Sequence, residues 1–497
     1  MVGALMVWPA GLVTAATSHG PGATPDSVNY LAGAESFARS GDVLMVNGNP
    51  MTLFPPGLPV ILGSLLSLGV DVPTAAVVLN VFAVAAMVAL SYALARALGL
   101  PRLASLACTA VVAVSKATLF VHAYLFSEPL FSALVLVTLL LVVNGCRAGG
   151  FSWPRLVLVG VATSAAISLR YLGLLLIPVV VATVFGVLLP RVGWLRAGAR
   201  AGVAGVVSSI GLVAVVTRNL SLGSGPLGPR TAGVVSPLDV LAQAMTALGD
   251  YVLAGRLAHL APVVGSAVAA ALVASVVVAL VRRDPRALTL AGFAGLWWVV
   301  LAWSELTTVI DPIGARLLAP ALTPMVVLIG YGAHELVRAP AGRSRRAAVR
   351  RPVVVVAGVA LAAVLSLPVA GSVEYARNTS RWGIGFSGVA LQRSPLFAAI
   401  AGLPPDAGIA MGYPERLYWV SGRTAAGTVP RDDHWFPPAR QKRDLAILRD
   451  KIDSGVVTHV AFYERDATTL KPADLVAFGL RLELLENFED GALYEAG

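Results

Sequence analysis

Charged residues are scarce in this chain of 497 residues. Asp, Glu, Lys and Arg together make up 13% of it, whereas hydrophobic residues make up 57%. Soluble proteins carry about 25% charged residues, so the composition excludes an ordinary soluble protein. The mean hydropathy of +0.78 agrees with this exclusion and predicts a polytopic membrane protein.

Cysteine is nearly absent, since Cys108 and Cys146 are its two copies. Both lie in or beside hydrophobic segments and form no Cys-x-x-Cys pair, so the sequence predicts neither a disulfide framework nor a thiolate metal site. A basic stretch is missing from the first twenty residues, MVGALMVWPAGLVTAATSHG, which favours a retained first helix over a cleaved signal peptide. No internal repeat is evident, so the inverted repeats of many secondary transporters are not visible.

Long apolar runs, in contrast, are frequent, and eleven of them are long enough to cross a bilayer. They cover residues 3–18, 73–97, 103–121, 127–145, 155–170, 171–189, 201–217, 260–281, 287–304, 317–336 and 352–372. Two of these runs meet at Arg170-Tyr171, which predicts a tight hairpin or a broken pair there. The run 57–71 is too short for a span and is interpreted as a juxtamembrane or re-entrant segment on the outer side.

Basic residues in the short loops orient these spans, because cytoplasmic loops carry an excess of Lys and Arg. With the N-terminus inside, ten loop arginines and six more in RAPAGRSRRAAVRR (338–351) are cytoplasmic, against seven basic residues outside. The formal net charge of +10 is thus a topology signal, and not a sign of nucleic-acid binding. We expect a multi-pass plasma-membrane protein with a cytoplasmic N-terminus.

The composition changes after residue 372. Residues 373–497 hold 16 of the 27 acidic residues. AGIAMG and VTHVAFY are typical of buried strands, ARQKRDLAILRDKIDSG of an amphipathic helix ending at Gly455, and LRLELLENFEDGALYEA of a hairpin turning at Asp490-Gly491. We therefore expect a transmembrane domain, 1–372, with outer loops 19–72 and 218–259, and a small extracytoplasmic α/β domain, 373–497.

Polar residues collect at the predicted outer face. They are Asp26, Glu128, Arg218, Asn219, Arg230, Asp311 and Arg316. Carboxylates and arginines are costly to desolvate at a membrane, so they pair with one another or with a ligand. Guanidinium groups bind phosphate through two parallel charged hydrogen bonds, and a carboxylate is a potential base. This combination suits a substrate with a phosphate on a lipid and a nucleophilic hydroxyl.

Several of these residues also have a purely structural interpretation. TPDS is a strong helix start, with either Thr24 or Asp26 as the N-cap. Glu128, in SEP at a helix entrance, is an acid at the positive end of a helix dipole. Arg218 and Arg316 are compatible with snorkelling to the membrane interface.

The candidates for metal binding and for turns are weaker. Asp311 precedes a proline and is a turn residue by default. His122 is better explained as a satisfied interfacial histidine than as a metal ligand. DDHW at 432–435 has ligand-type residues without helical metal spacing. No metal is therefore assigned.

Taken in chain order, several stretches resemble the GT-C class of membrane glycosyltransferases, and most closely its branch with the protein O-mannosyltransferases and the lipid A aminoarabinose transferases. They are PDSVNYLAGAESFARSGD with FPPGLPV, LFSEPLF, TRNLSLGSGPLGPR, DPIGARLLAPALTP and AMGYPERLYWVSGR. The likeness covers nearly the whole chain. Each motif is short, so the likeness is specific for the class and not for the substrate.

The resemblance implies an inverting transferase whose donor is a polyprenyl-phosphate sugar. Asp26 matches the aspartate of the first outer loop that acts as general base in this class. The implied donor-phosphate ligands are Arg218, Arg230 and Arg316, Glu128 is implied to orient the acceptor or the donor sugar, and the implied substrate contacts are Tyr30, Asn219 and Asp311.

The chain departs from the protein O-mannosyltransferases in one place. Those enzymes have an Asp-Glu pair in the first loop, whereas Asp26 is followed here by Ser27. This difference argues against protein mannosylation in particular. Some relatives bind a divalent metal near this loop, but the sequence offers no convincing set of ligands, so a divalent cofactor stays open.

The predicted function is transfer of a sugar to a hydroxyl of a cell-envelope glycan, glycolipid or protein on the outer side of the membrane. Mannose, arabinofuranose, galactose and glucose all remain open as the sugar. One alternative is a transporter or flippase of lipid-linked sugars, which needs polar residues deep within the spans. Apart from Lys116 and Arg170, the charges lie at span ends, which disfavours it. The other alternative is a non-catalytic envelope-assembly protein with the same fold.

Overall fold

The computed structural model describes residues 1–233, 235–338, 365–433 and 438–497. The chain divides into two compact units. The first unit comprises Met1–Thr17, Thr52–Leu58 and Thr74–Ser380, and the second comprises Ser18–Met51, Pro59–Pro73 and Arg381–Gly497. The second unit therefore combines the tail with two segments of the predicted outer loop 19–72.

Helices dominate the described residues. In chain order they are α1 (Val2–Ala16), α2 (Pro25–Ser40), α3 (Gly57–Ser67), α4 (Val72–Ala97), α5 (Arg102–Val114), α6 (Lys116–Ala123), α7 (Glu128–Arg147), α8 (Trp153–Leu169), α9 (Leu176–Ser221), α10 (Pro237–Leu253), α11 (Ala261–Arg282), α12 (Pro285–Thr307), α13 (Ala315–Arg338), α14 (described over 365–382), α15 (Val389–Gln392), α16 (Pro395–Gly402), α17 (Pro414–Ser421), α18 (Pro438–Asp453) and α19 (Pro472–Ala477). Two 3₁₀ turns, Tyr171–Leu175 and Ala258–Leu260, precede α9 and α11.

The described helices include several candidate membrane spans. Six of them, with Tyr171–Ser221 taken as one, are long and apolar enough to cross a membrane, and α5 with α6, bent by 50°, makes a seventh. Gly193, with φ of +76°, divides α9 into two helices that match the predicted runs 171–189 and 201–217. The predicted span 352–372 lies mostly outside the described residues. The chain is therefore a multi-pass membrane protein, whereas the number of eleven spans remains a prediction.

The predicted break at Arg170-Tyr171 is confirmed. The backbone of Arg170 is extended, with φ −149° and ψ 136°, so α8 ends at Leu169 and a 3₁₀ turn begins at Tyr171. The run 57–71 forms the 11-residue helix α3, which is shorter than a span as expected.

Glycines let the membrane helices pack closely. A Cβ on Gly160 of α8 would lie 2.6 Å from the Val207 side chain of α9, and one on Gly211 would lie 2.3 Å from the Ser164 carbonyl oxygen. Helices α10 and α11 approach in the same way, since a Cβ on Gly265 would lie 1.7 Å from the Met245 carbonyl oxygen. Small residues at helix contacts are typical of membrane proteins, because they replace the hydrophobic driving force with close packing.

The tail contains the predicted α/β elements. The strands are β1 (Ile409–Met411), β2 (Gly427–Thr428), β3 (His459–Tyr463), β4 (Leu482–Phe488) and β5 (Gly491–Ala496), in the spatial order β2-β1-β3-β5-β4. β1 is parallel to β2 and β3, whereas β5 is antiparallel to β3 and β4. The hairpin turns at residues 489–490, and α18 runs to Asp453 just before Gly455, as the sequence predicts.

Helix α2 has clear start and stop signals. The Thr24 side chain accepts a hydrogen bond from the Ser27 backbone N–H, Pro25 is the first helical residue, and Gly41 ends the helix in the left-handed conformation with φ of +81°. Thr24 is therefore the N-cap, and Asp26 lies in the first turn. Within the second unit α2 packs against α17, and Val28 belongs to the same buried cluster as Leu417.

Candidate active site

Glu128 is a fully buried acid in the first unit. It begins α7, and 1% of its side chain is exposed. Arg170 Nη1 lies 2.6 Å from Glu128 Oε1, and Arg316 Nε donates a hydrogen bond to the same oxygen. A buried carboxylate requires such partners, because an unpaired buried charge is strongly destabilising.

The two arginines reach Glu128 from distant parts of the chain. Arg170 stands at the break after α8, and its Nη1 also donates to Ser127 Oγ over 3.2 Å. Arg316 lies in the first turn of α13, with Nη1 3.1 Å from Asp311 Oδ2 and Cζ 4.1 Å from the ring centre of Phe126. The break after α8 and the first turn of α13 thus place both guanidinium groups beside Glu128.

Tyr171 and Asn219 form a second polar group in the first unit. Asn219 Nδ2 donates to Tyr171 Oη over 2.7 Å and to the Pro226 carbonyl oxygen over 3.1 Å, and Tyr171 Oη donates to the Thr52 carbonyl oxygen over 2.7 Å. Asn219 is fully buried, and its Oδ1 has no hydrogen-bond partner among the described residues. These bonds hold the start of the loop after α9 in place.

Arg230 connects the two polar groups. Its Cζ lies 5.7 Å from the Tyr171 ring centre in a cation–π contact, and its Nη2 donates to the Leu227 carbonyl oxygen. Arg230 is also close enough to Arg170 for their positive charges to repel each other, and Arg218 is close enough to Tyr171 for an electrostatic interaction. We call Arg170, Arg218, Arg230 and Arg316 the arginine cluster. Arg170 and Arg316 pair with carboxylates, and guanidinium groups in such a cluster are suited to binding an anion.

Asp26 belongs to the second unit, where its negative charge acts on a second carboxylate, Glu415. Glu415 stands in the first turn of α17, and burial together with the negative charge of Asp26 raises the pKa of Glu415, while Arg431 and Arg416 oppose this shift. Helices α2 and α17 are also joined by a hydrogen bond from Tyr418 Oη to Glu35 Oε2. Tyr30, on the same helix as Asp26, is 1% exposed.

The described residues contain no group of three or more His, Cys, Asp or Glu side chains placed to hold a metal ion. His122 Nδ1 donates to the Thr118 carbonyl oxygen over 2.8 Å, whereas its buried Nε2 has no hydrogen-bond partner among the described residues, so only one ring nitrogen is satisfied as predicted. In DDHW, residues 434 and 435 lie outside the described residues, whereas Asp433 Oδ2 is 2.8 Å from Arg431 Nε. Divalent-metal dependence stays open.

The structure therefore brings Glu128, Asp311 and Arg316 together and adds Arg218, Asn219 and Arg230 to their surroundings. Arg170 was missed as a ligand of Glu128, although an arginine at the border of two apolar runs was a visible signal. Glu415 was also missed, because nothing in YPERLYW indicates that this acid lies beside Asp26.

Comparison with known proteins gives structural matches and no sequence matches. No family model and no curated protein matches the chain. ArnT from Cupriavidus metallidurans, bound to undecaprenyl phosphate, matches with a TM-score of 0.60 and 14% identity, over 99% of this chain and 97% of ArnT. The chain has the GT-C glycosyltransferase fold.

Two further GT-C structures match. The archaeal oligosaccharyltransferase AglB from Archaeoglobus fulgidus, in complex with an inhibitory peptide and a dolichol-phosphate, has a TM-score of 0.52 and 11% identity over 93% of this chain and 69% of AglB. The arabinofuranosyltransferase AftD from Mycobacteria has a TM-score of 0.55 and 17% identity over 99% of this chain and 41% of AftD. The GT-C resemblance predicted from the sequence is thus confirmed for the fold.

Proposed function

We propose that the protein is a glycosyltransferase that moves a sugar from a polyprenyl-phosphate carrier to a hydroxyl of a cell-envelope acceptor on the outer side of the membrane. The observation that carries this proposal is the arginine cluster around the buried Glu128. Undecaprenyl phosphate and dolichol-phosphate are bound in the ArnT and AglB structures, which supports a polyprenyl-phosphate donor.

The arginine cluster would act on the leaving group. As the acceptor oxygen bonds to the anomeric carbon, the bond from that carbon to the phosphate oxygen breaks, and the electron pair leaves with the phosphate. The departing lipid phosphate gains negative charge, which fixed guanidinium groups stabilise more strongly than they stabilise the donor. Arg218, Arg230 and Arg316 are the proposed phosphate ligands, and Arg170 joins them.

Glu128 would act through its two arginines. Both contacts use the same carboxylate oxygen, and the side chain is buried. A fixed counter-charge keeps Arg170 and Arg316 in one orientation before the donor arrives, so less order is lost on binding. Asp311 holds Arg316 from its other side and, with Asn219 and Tyr30, remains a proposed substrate contact.

Asp26 is the proposed general base. It would take the proton of the acceptor hydroxyl as the hydroxyl oxygen attacks the anomeric carbon, which inverts the configuration there. This role rests on the resemblance of the first loop, and the N-cap role of Thr24 supports it, because Asp26 is not required to cap α2.

The test is donor consumption by the purified full chain in nanodiscs. Radiolabelled polyprenyl-phosphate mannose, arabinofuranose, galactose and glucose are offered with and without a cell-envelope extract. We expect wild type to transfer the sugar of one donor and Asp26→Asn to lose at least about 100-fold in rate, since general-base catalysis contributes roughly 10²–10⁴. Asp42→Asn, an exposed aspartate of the same loop, is the matched control.

Each outcome of this test decides a separate point. A fully active Asp26→Asn variant would remove the proposed base and leave the transferase function intact. Folded wild-type protein that consumes none of the donors would overturn the proposed function and favour the transport or assembly alternatives.

A further inference from the structure

A cavity of about 480 Å³ opens in the second unit, built entirely from residues 382–465. Three aromatic rings, Trp382, Phe386 and Tyr463, line it together with Arg416 and Arg465. Its volume lies in the range of roughly 300–1,000 Å³ that small-molecule sites have. The predicted functional residues of the chain do not line this cavity, so the proposed transfer chemistry does not explain it.

Arg416, which lines the cavity, forms an ion pair with Asp466 and lies against two aromatic rings. Arg416 is 8% exposed, and its Nη1 donates to the equally buried Asp466 Oδ2 over 2.7 Å. The Cζ of Arg416 lies 5.2 Å from the Phe386 ring centre and 4.9 Å from the Tyr463 ring centre. Because Asp466 cancels its charge, the guanidinium presents N–H donors without a free positive charge.

Two polar groups in the lining have spare hydrogen-bonding capacity. Among the described residues, Asp466 is the single hydrogen-bond partner of the Arg416 side chain, which carries five N–H donors. The other group is the hydroxyl of Tyr463. Neither group is a buried atom without a partner, so both are accessible to water and equally to the hydroxyl groups of a ligand.

A turn at residues 383–388, which contains three glycines, also lines the cavity. Gly383 and Gly385 both have positive φ, of +71° and +56°. A Cβ on Gly383 would lie 2.4 Å from the Ser387 carbonyl oxygen, and one on Gly385 would lie 2.2 Å from the Ala23 carbonyl oxygen. Residues 383–388 therefore hold one shape, which places Trp382 and Phe386 on the same cavity.

We infer that this cavity binds a neutral sugar unit of the glycan acceptor. Sugar rings present an apolar C–H face that packs on aromatic rings, while their hydroxyl groups bond to guanidinium and phenol groups, and the lining supplies both. Trp382 is 58% exposed at the rim, which leaves it accessible to a ligand. This inference deepens the proposed function, because it assigns a carbohydrate acceptor to the tail.

The groups of the lining are those that a sugar uses. Asp466 neutralises Arg416, so the positive charge of the lining comes from the exposed Arg465 alone. A peptide would need a row of backbone donors and acceptors, whereas the lining offers rings, one phenol and guanidinium groups. Neutral disaccharides test whether these groups bind a sugar without the help of a ligand charge.

The experiment measures binding of disaccharides of mannose, arabinofuranose, galactose and glucose to the purified full chain in nanodiscs, by saturation-transfer NMR with titration. We expect at least one of them to bind saturably. Trp382→Ala should weaken that binding about tenfold. Tyr463→Phe should weaken it about fivefold, because one hydrogen bond to the sugar is lost. Trp194→Ala removes a similarly exposed tryptophan elsewhere and should leave binding unchanged.

The Tyr463→Phe variant keeps the ring and loses a hydroxyl without a protein partner, so it tests the site without disturbing the fold. Absence of saturable binding, equal affinity in wild type and both site variants, or binding of an acceptor peptide that depends on Trp382 would each overturn the inference.

Donor consumption is scored separately. Sugar binding without donor consumption would defeat the proposed function alone, and donor consumption without sugar binding would defeat this inference alone.

Discussion

At the scale of single residues, the site depends on how buried charges are paired. Glu128 meets two guanidinium groups from residues 42 and 188 positions further along the chain, and all three side chains are largely buried. In the second unit, the negative charge of Asp26 contributes to the raised pKa of Glu415. A paired carboxylate keeps its cations in place, which agrees with the role proposed for Glu128.

Replacing Glu128 by glutamine should be costly. Glu128→Gln leaves Arg170 and Arg316 without their shared counter-charge, and breaking a buried ion pair costs about 3–5 kcal/mol. We expect a clear drop in the thermal unfolding midpoint, together with loss of donor turnover. The control is Glu374→Gln, because Glu374 pairs with Arg256 at the surface over 2.5 Å. That variant should change stability by about 0–1 kcal/mol. Equal stability of the two variants would contradict the importance of the Glu128 pairs.

Glu415 should make stability depend on pH. Its pKa is raised in the folded protein, so this group stabilises the fold fully below its ordinary pKa, about 4.5, and the contribution is lost as the pH rises through the raised pKa. Glu415→Gln stays neutral at every pH and should therefore unfold at a higher temperature than wild type at pH 7. The two proteins should converge towards pH 4.5. Melting curves between these values measure the difference.

The control for Glu415 is Glu483→Gln, an exposed acid on β4. We expect its melting temperature to follow that of wild type at each pH. A Glu415→Gln variant that also follows wild type would show that Glu415 is not held in its neutral form.

At the scale of elements, the membrane helices are held at contacts that admit only glycine. Gly211 of α9 donates its N–H to Ser164 Oγ over 2.6 Å, and a Cβ there would meet the Ser164 carbonyl oxygen of α8. Gly202, earlier on α9, has open space around its Cβ position. One helix thus contains both a required and a replaceable glycine.

Gly211→Ala should separate α8 from α9 and lower the melting temperature of the protein, since the new Cβ would lie 2.3 Å from the Ser164 carbonyl oxygen, a backbone atom that cannot yield without moving a helix. Gly202→Ala should leave the free energy of unfolding unchanged or raise it by up to about 1 kcal/mol, because alanine has a higher helix propensity than glycine. Thermal unfolding in detergent compares the two. An equal response to both substitutions would contradict the tight α8–α9 contact.

The sequence predicted most elements correctly, because their signals are local. Thr24-Pro25 begins α2, the alternation in VTHVAFY gives β3, and the hairpin turns at residues 489–490, one position before the predicted Asp490-Gly491. The pairing of Arg170 with Glu128 could not be predicted in the same way, since it depends on how α7 and α8 pack. Glu415 beside Asp26 is likewise a contact between elements almost 400 residues apart. Composition and hydrophobic periodicity determine the secondary-structure elements, whereas tertiary packing determines which side chains pair.

At the scale of the whole molecule, the composition predicted the class of protein and the motifs predicted the GT-C fold. The match to ArnT over 99% of the chain at 14% identity shows that the fold is kept with very little of the sequence. The cytoplasmic placement of the N-terminus, the outer placement of the tail and the division at residue 372 remain predictions from the loop arginines. The sugar transferred also remains open.

The most direct measurement is the thermal stabilisation of the full chain by undecaprenyl phosphate, compared with undecaprenol, which lacks the phosphate. We predict stabilisation of wild type by the phosphate-bearing lipid alone. Arg230→Gln should reduce the affinity about 10–100-fold, the loss of a charged hydrogen bond. Arg256→Gln, which removes a surface arginine paired with Glu374, should bind as wild type does. Equal stabilisation by both lipids, or full affinity in Arg230→Gln, would contradict phosphate binding by the arginine cluster.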